Sequence, residues 1–295
     1  MSGPSAISRM ARPAASQMRI YALPLTRRPP PFKTLPLVYY YARMPESSGS
    51  SAPPSYFNRA LNFANSTWNK WGKEKSGWKI KVHTWGNKAY EKVDFEELAL
   101  GSIDPALGPK LPAEAGGREV VQAIEKGEHI SIQLLHPTCV GPSDPLAHLT
   151  QLLKIRTPKH RRWFWIFLGI SPLTAPFALV PIIPNIPFFF CAWRAWSHWK
   201  AYKAASYLQQ LVKSKSIQAV PSPIMDEIYA SHTTRSSITK EGDPMLISRG
   251  MIPGLLLKLR INPEVSHDLE RAVEQAQLRL AQPSVEGENS RKKEI

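Results

Sequence analysis

A chain of 295 residues, 43% of them hydrophobic, has room for one sizeable domain or two small ones, and its two cysteines, Cys139 and Cys191, exclude a disulfide framework. The formal charge of +15 calls for an acidic partner. The basic residues crowd beside the most apolar segment and at the N-terminus, with no zinc-knuckle spacing or RNA-binding aromatic motif, so the reading is anionic lipid and no nucleic acid.

Residues 1–45 carry Arg9, Arg12, Arg19, Arg27, Arg28, Lys33 and Arg43 and no acid, the composition of a mitochondrial targeting region. The six prolines from Pro4 to Pro31 interrupt any long presequence helix, and a plain basic tail is the other reading. Residues 46–55 form a low-complexity linker. A helical soluble domain is expected over 56–158. Phe57, Leu61, Ala64, Trp68 and Trp71 recur at helical steps, Gly72 and Gly77 interrupt, and Trp78, Val82, Trp85, Ala89 and Val93 form a second face. Their tryptophans either pack the two helices together or lie at headgroup level. Asp94, with Glu97 three residues on, starts a further helix over FEELAL. Residues 105–117 read as a loop, and Ile130, Ile132 and Leu134 alternate as one short strand ending at Pro137. Asp144-Pro145 opens a helix bearing Leu146, Leu149 and Leu153, which Thr157-Pro158 is expected to end.

From residue 145 to residue 225 there is no acidic side chain, and within that stretch Phe164–Trp193 is wholly uncharged. An apolar run of this length predicts a membrane segment, set at 159–199. Pro181, Pro184 and Pro187 recur every three residues and predict the turn of a hairpin, because each removes a backbone donor. Its arms would run from Trp163 to Val180 and from Phe188 into Trp199, as two spans or a shallower re-entrant loop. One tilted helix with a proline break is the competing reading. Lys159, Arg161, Arg162, Arg194 and Lys200 are the expected headgroup contacts, and Trp163, Trp165, Trp193, Trp196 and Trp199 the interfacial belt.

An amphipathic helix is expected over 200–215, either on anionic headgroups or simply solvated. Residues 216–282 form a C-terminal soluble region, loop-rich to 250. Within it Asn262-Pro263 caps a helix over 263–282 with Val265, Leu269, Val273, Ala276 and Leu280 on one face. Residues 283–295 read as a disordered tail. The expected fold class is therefore a mainly α membrane protein: a helical soluble N-terminal region with one short strand, a proline-broken hydrophobic hairpin, and C-terminal amphipathic helices.

No Walker loop, Rossmann fingerprint or nucleophile elbow is present, so neither enzyme chemistry nor a cofactor is expected. His136 and Cys139 make half of a zinc pattern with no second half, and no metal site is expected; His160 and His198 fit a basic interfacial face. Ion-coupled antiporters keep ionisable groups at the bilayer midplane, and Phe164–Trp193 has none.

The run from His160 to Ala201, above all Pro172–Phe189 and Arg194–Trp199, resembles the membrane segment of the mitochondrial K⁺–H⁺ exchange-related proteins. The likeness extends to Met18–Arg28, Ala64–Leu100 and Val220–Ala230. It implies an inner mitochondrial membrane protein needed for potassium–proton exchange and matrix volume control, with its soluble parts facing the matrix. It carries no catalytic motif. Three functions follow as expectations. The first is an accessory or regulatory component of that exchange, partnered by anionic inner-membrane lipid and by another membrane protein or a second copy of itself. The second is the antiporter itself, as a homo-oligomer. The third is a lipid-binding protein that shapes the membrane.

Overall fold

The computed structural model describes residues 18–30, 35–45, 56–109, 131–174, 186–236 and 244–282. Two short apolar segments near the start, Arg19–Pro24 (β1) and Val38–Arg43 (β2), pair antiparallel from Arg19↔Arg43 to Pro24↔Val38. β1 pairs on its other side, in parallel, with Ile132–His136 (β3), and β3 pairs in parallel with Ile217–Pro221 (β4). The sheet order is β2-β1-β3-β4.

Parallel neighbours need long crossovers, and the chain supplies two. Between β2 and β3 run Tyr56–Gly72 (α1), Trp78–Glu91 (α2) and Phe95–Gly101 (α3). Between β3 and β4 run two long helices, Pro145–Thr174 (α4) and Ile186–Lys213 (α5). After β4 come Pro223–Ser236 (α6), a 3-10 turn at Arg249–Met251, Ile252–Leu259 (α7) and Val265–Ala281 (α8).

Side chains alternate across a strand, so each face of the sheet feeds its own core. Ile20, Ala22, Val38, Tyr40, Ile132 and Leu134 meet Leu149 and Leu153 of α4 and Ala201, Ala204, Ala205, Leu208 and Leu211 of α5. The alanines on α5 leave room for close approach. Tyr21, Leu23 and Tyr39 on the opposite face meet Met225 and Tyr229 of α6, Leu255 of α7, and Leu269, Val273 and Ala276 of α8. Each buried leucine, isoleucine, valine or methionine among them contributes roughly 1.5–3 kcal/mol by leaving water. α3 lies against β2 and joins both layers, with Leu100 in one core and Phe95 and Ala99 in the other.

This architecture corrects the mainly α membrane fold expected above. The chain forms an α/β fold with a mixed four-stranded sheet, and no helix among the described residues is long and apolar enough to cross a membrane. Within the described residues α4 carries Lys154, Arg156, Lys159, Arg161 and Arg162 ahead of an apolar part, Trp163–Thr174, of about 18 Å, and these charges keep the helix as a whole from being an apolar span. In α5 the apolar stretch Ile186–Trp193 rises about 12 Å before Arg194, against a hydrocarbon core of about 30 Å.

Other boundaries shift with it. A targeting region over all of 1–45 overlaps β1 and β2, whose removal would take two strands out of the sheet; residues 1–17 lie outside the described residues. Pro158 does not end a helix, since α4 runs through both Pro158 and Pro172. The amphipathic helix expected over 200–215 is the second half of α5, whose Ala201, Ala204, Ala205, Leu208 and Leu211 pack on the sheet. The loop-rich stretch after 216 contains β4 and α6. The linker over 46–55 and the tail over 283–295 lie outside the described residues. The helix after Asn262-Pro263 forms as α8 with Leu269, Val273 and Ala276 buried.

Candidate functional site

The acid-free stretch raises a question of charge balance that α3 answers. Arg156 on α4 and Arg194 on α5 turn inward, and the carboxylates they need come from the first turn of α3. Asp94 caps that helix by accepting from the Glu96 N–H at 3.1 Å. Arg156 Nη1 reaches Asp94 Oδ2 at 3.0 Å, and its Nη2 pairs with Glu96. Arg279, from α8, reaches Asp94 Oδ1 at 3.0 Å and Glu96 Oε1 at 3.5 Å. Arg194 donates to Glu97 Oε1 at 2.9 Å and Oε2 at 3.3 Å, and the Ser197 hydroxyl donates to Oε1 at 2.6 Å. Three carboxylates at the start of one short helix, the Asp94 cap and Glu96 and Glu97 of its first turn, thus tie α4, α5 and α8 together. Burial works to raise the Asp94 pKa, but the guanidiniums of Arg156 and Arg279 outweigh it and hold the carboxyl well below the usual range.

Beside Glu97 lies a buried histidine pair. His160 of α4 is 1% exposed and His198 of α5 is 3% exposed, with their Nδ1 atoms 3.1 Å apart. Glu97 Oε2 lies 3.5 Å from His198 Nδ1. Arg194 Nη2 is 2.9 Å from His198 Nε2. A guanidinium only donates, so His198 Nε2 accepts and the His198 proton sits on Nδ1. That proton faces Oε2 of Glu97 and Nδ1 of His160, which places the His160 proton on Nε2. His160 Nε2 is buried with no hydrogen-bond partner among the described residues. Burial pushes both imidazoles down to about 4, with Glu97 opposing the shift in each case. Both rings are therefore neutral at pH 7. The rings of Trp163 and Phe167 stack on His198 at 6.3 and 5.7 Å.

Beyond this seam the α4–α5 pair changes character. Leu173 is 75% exposed, Trp165 63% and Phe189 62%, with Trp163, Leu168, Ile170 and Trp196 also exposed. Lys159, Arg161, Arg162 and Lys200 are exposed around them, as a basic collar below an apolar end. Trp193 packs on Tyr90 and Phe190 at 6.3 and 5.8 Å, and Trp199 packs on Phe164 at 4.9 Å, so these two are half-buried. Pro187 lies in the first turn of α5, while Pro181 and Pro184 lie outside the described residues. The α1–α2 pair flanks the same end. Trp68 covers Gly86 so closely that a Cβ there would collide with its ring, and Trp85 reaches Phe190 at 5.4 Å. Trp85 and Trp78 also remain exposed, so the tryptophans both pack these helices and face outward.

Residues 19–212 match the family described as mitochondrial K⁺–H⁺ exchange-related. The chain belongs to that family. Its description ties the chain to the mitochondrion and to K⁺–H⁺ exchange. An uncharacterized protein of Schizosaccharomyces pombe is 26% identical over 202 residues, covering 68% of this chain and 78% of the relative. A second uncharacterized protein, of Saccharomyces cerevisiae, is 26% identical over 226 residues, covering 70% of each chain. No solved structure matches.

The exchange-related family's matched span takes in α3, α4 and nearly all of α5, and so the apolar end and the carboxylate clasp except for Arg279 of α8. Sequence reasoning set His160, His198 and Arg194 on a surface, but the fold turns all three toward Glu97. One signal was available. A chain with buried arginines in a long acid-free stretch must draw carboxylates from elsewhere, and DFEE is a dense acidic source preceding that stretch.

Proposed function

We propose that this protein is an accessory or regulatory component of potassium–proton exchange, docked on the anionic surface of the inner mitochondrial membrane with its sheet on the matrix side. The observation that supports the reading is the polarity of the α4–α5 pair, whose one half is built into the sheet and whose other half presents aromatic and aliphatic side chains above a basic collar. Apolar side chains seated at the headgroup boundary with Lys and Arg behind them are how a peripheral protein holds an anionic bilayer. The buried carboxylates on α3 are each engaged by an arginine, which makes them struts of the fold and poor carriers of a moving potassium ion. Ion movement in this reading belongs to a membrane protein that this one contacts.

The test pairs two measurements of potassium-driven proton flux. Mitochondria depleted of the protein should lose exchange and regain it on re-expression. Liposomes holding only the purified protein should show no flux above empty vesicles. Robust flux from the protein alone would make it the exchanger and overturn the accessory role.

A further inference from the structure

We propose that Glu97, His160 and His198 form a binding site for one divalent transition-metal ion of the zinc class, held in the seam between α3, α4 and α5. Two imidazoles and a carboxylate are the donor types that zinc and its neighbours take, and the three side chains offer ligand atoms all within 4.8 Å of one another. The spacing suits one small ion. A tetrahedral zinc with bonds of about 2.0–2.1 Å to nitrogen has ligand–ligand edges of about 3.3 Å. The two Nδ1 atoms stand 3.1 Å apart, and Glu97 Oε2 stands 3.5 Å from the Nδ1 of His198. The potassium of the family's description is not the fit, because a hard alkali cation takes oxygen ligands and two of these three donors are nitrogen.

The carboxylate is already oriented for the task. Ser197 Oγ and Arg194 Nη1 hold Oε1 at 2.6 and 2.9 Å, while Oε2, which accepts from Arg194 Nη2 at 3.3 Å, lies 3.5 Å from His198 Nδ1. All three residues are buried, so the ion would sit out of bulk water, with one coordination position left for water or a small anion. The cationic neighbourhood sets the terms of loading. A metal on His198 Nδ1 moves that ring's proton to Nε2, which then no longer accepts from Arg194 Nη2; the guanidinium keeps its bonds to Glu97 and gives up the imidazole. No proton is lost in that exchange, since the imidazole stays neutral. The nearby carboxylates of Asp94, Glu96 and Glu97 face the guanidiniums of Arg156, Arg194 and Arg279. A dication therefore adds uncompensated positive charge, and an anionic fourth ligand such as hydroxide reduces it.

The purified full-length chain, stripped with a chelator, is titrated with Co²⁺ in a chelator-buffered series and then with Zn²⁺. One equivalent of Co²⁺ should give the visible bands of a tetrahedral site, and Zn²⁺ should bleach them. His160→Gln and His198→Gln should each weaken binding by at least roughly 100-fold, beyond the 10- to 100-fold loss usual for an outer-shell partner. Zn²⁺ should also raise the unfolding temperature of the parent and not of His160→Gln, whose parent Nε2 has no partner to lose. The double change His136→Ala, Cys139→Ala should leave binding intact. No uptake by the parent, unchanged affinity in His160→Gln, or loss in the His136/Cys139 variant would each overturn the site. The readouts do not involve ion flux, so they stand apart from the accessory role.

Discussion

The two halves of the α4–α5 pair share a backbone and little else. Toward the sheet, Leu149, Leu153, Ala204, Ala205 and Leu211 are fully buried, and the inward arginines are met by carboxylates from α3. Toward the far end, large apolar side chains stand in the open with no charge among them from Trp163 to Thr174. Exposed apolar residues scattered singly need no explanation, but a contiguous patch marks a contact surface. Near the sheet the apolar side chains hold the fold, and at the far end Trp165, Leu173 and Phe189 remain exposed. The histidine seam marks the boundary.

Changes on the two sides should therefore separate stability from attachment. The largest stability loss is expected from Glu97→Ala, which leaves the part-buried Arg194 without its carboxylate and removes the acceptor of Ser197. Breaking a buried pair from one side costs about 3–5 kcal/mol, readable as a lower urea midpoint. Acid should act on the same seam. The folded imidazoles of His160 and His198 titrate near 4 and an ordinary histidine near 6.5. Below pH 6.5 the unfolded chain takes up protons that the folded one refuses, so stability should fall from pH 6.5 to about 4 and then stop changing on this account. The Asp94 contribution, with its lowered pKa, is lost only below the ordinary value of 3.8, so the two windows are distinct. His160→Gln should reduce the slope in the upper window, with His198 keeping its share; a slope unchanged in that variant would assign the titration to other groups.

On the far side, Arg161→Gln with Arg162→Gln should weaken binding to anionic vesicles by about 1 kcal/mol per charge, an effect that shrinks as salt is raised. Equal binding at low salt would leave the basic collar without a role. The smallest expected effect is that of Leu173→Ser on unfolding, within about 0.5 kcal/mol, because the side chain is 75% exposed. A larger loss would mean that the apolar end is packed against something in the folded protein.

How much of this could be read in advance differs by region. α8 was legible because Leu269, Val273 and Ala276 follow helical spacing after a clear cap at Asn262-Pro263. β3 was legible from its alternation. β1 and β2 were not, because both of their faces are buried; RIYALP and VYYYAR lack the polar alternation of a half-exposed strand and sit among basic residues that suggest a targeting region. The membrane-spanning reading failed for a related reason. An apolar run records that side chains leave water, not whether a sheet, a neighbouring helix or lipid receives them. The clasp was hidden by distance along the chain, since Glu97 and Arg194 are 97 residues apart.

The central claim is that the far end of the α4–α5 pair is an attachment surface and not part of the fold. It is tested most directly by flotation of the purified protein with anionic and neutral vesicles, alongside Trp165→Ser, Leu173→Ser, Phe189→Ser combined in one variant. The parent should float with anionic vesicles only, while the variant should stay behind with its unfolding midpoint unchanged. Equal flotation of parent and variant, or a variant that no longer folds, would contradict the claim.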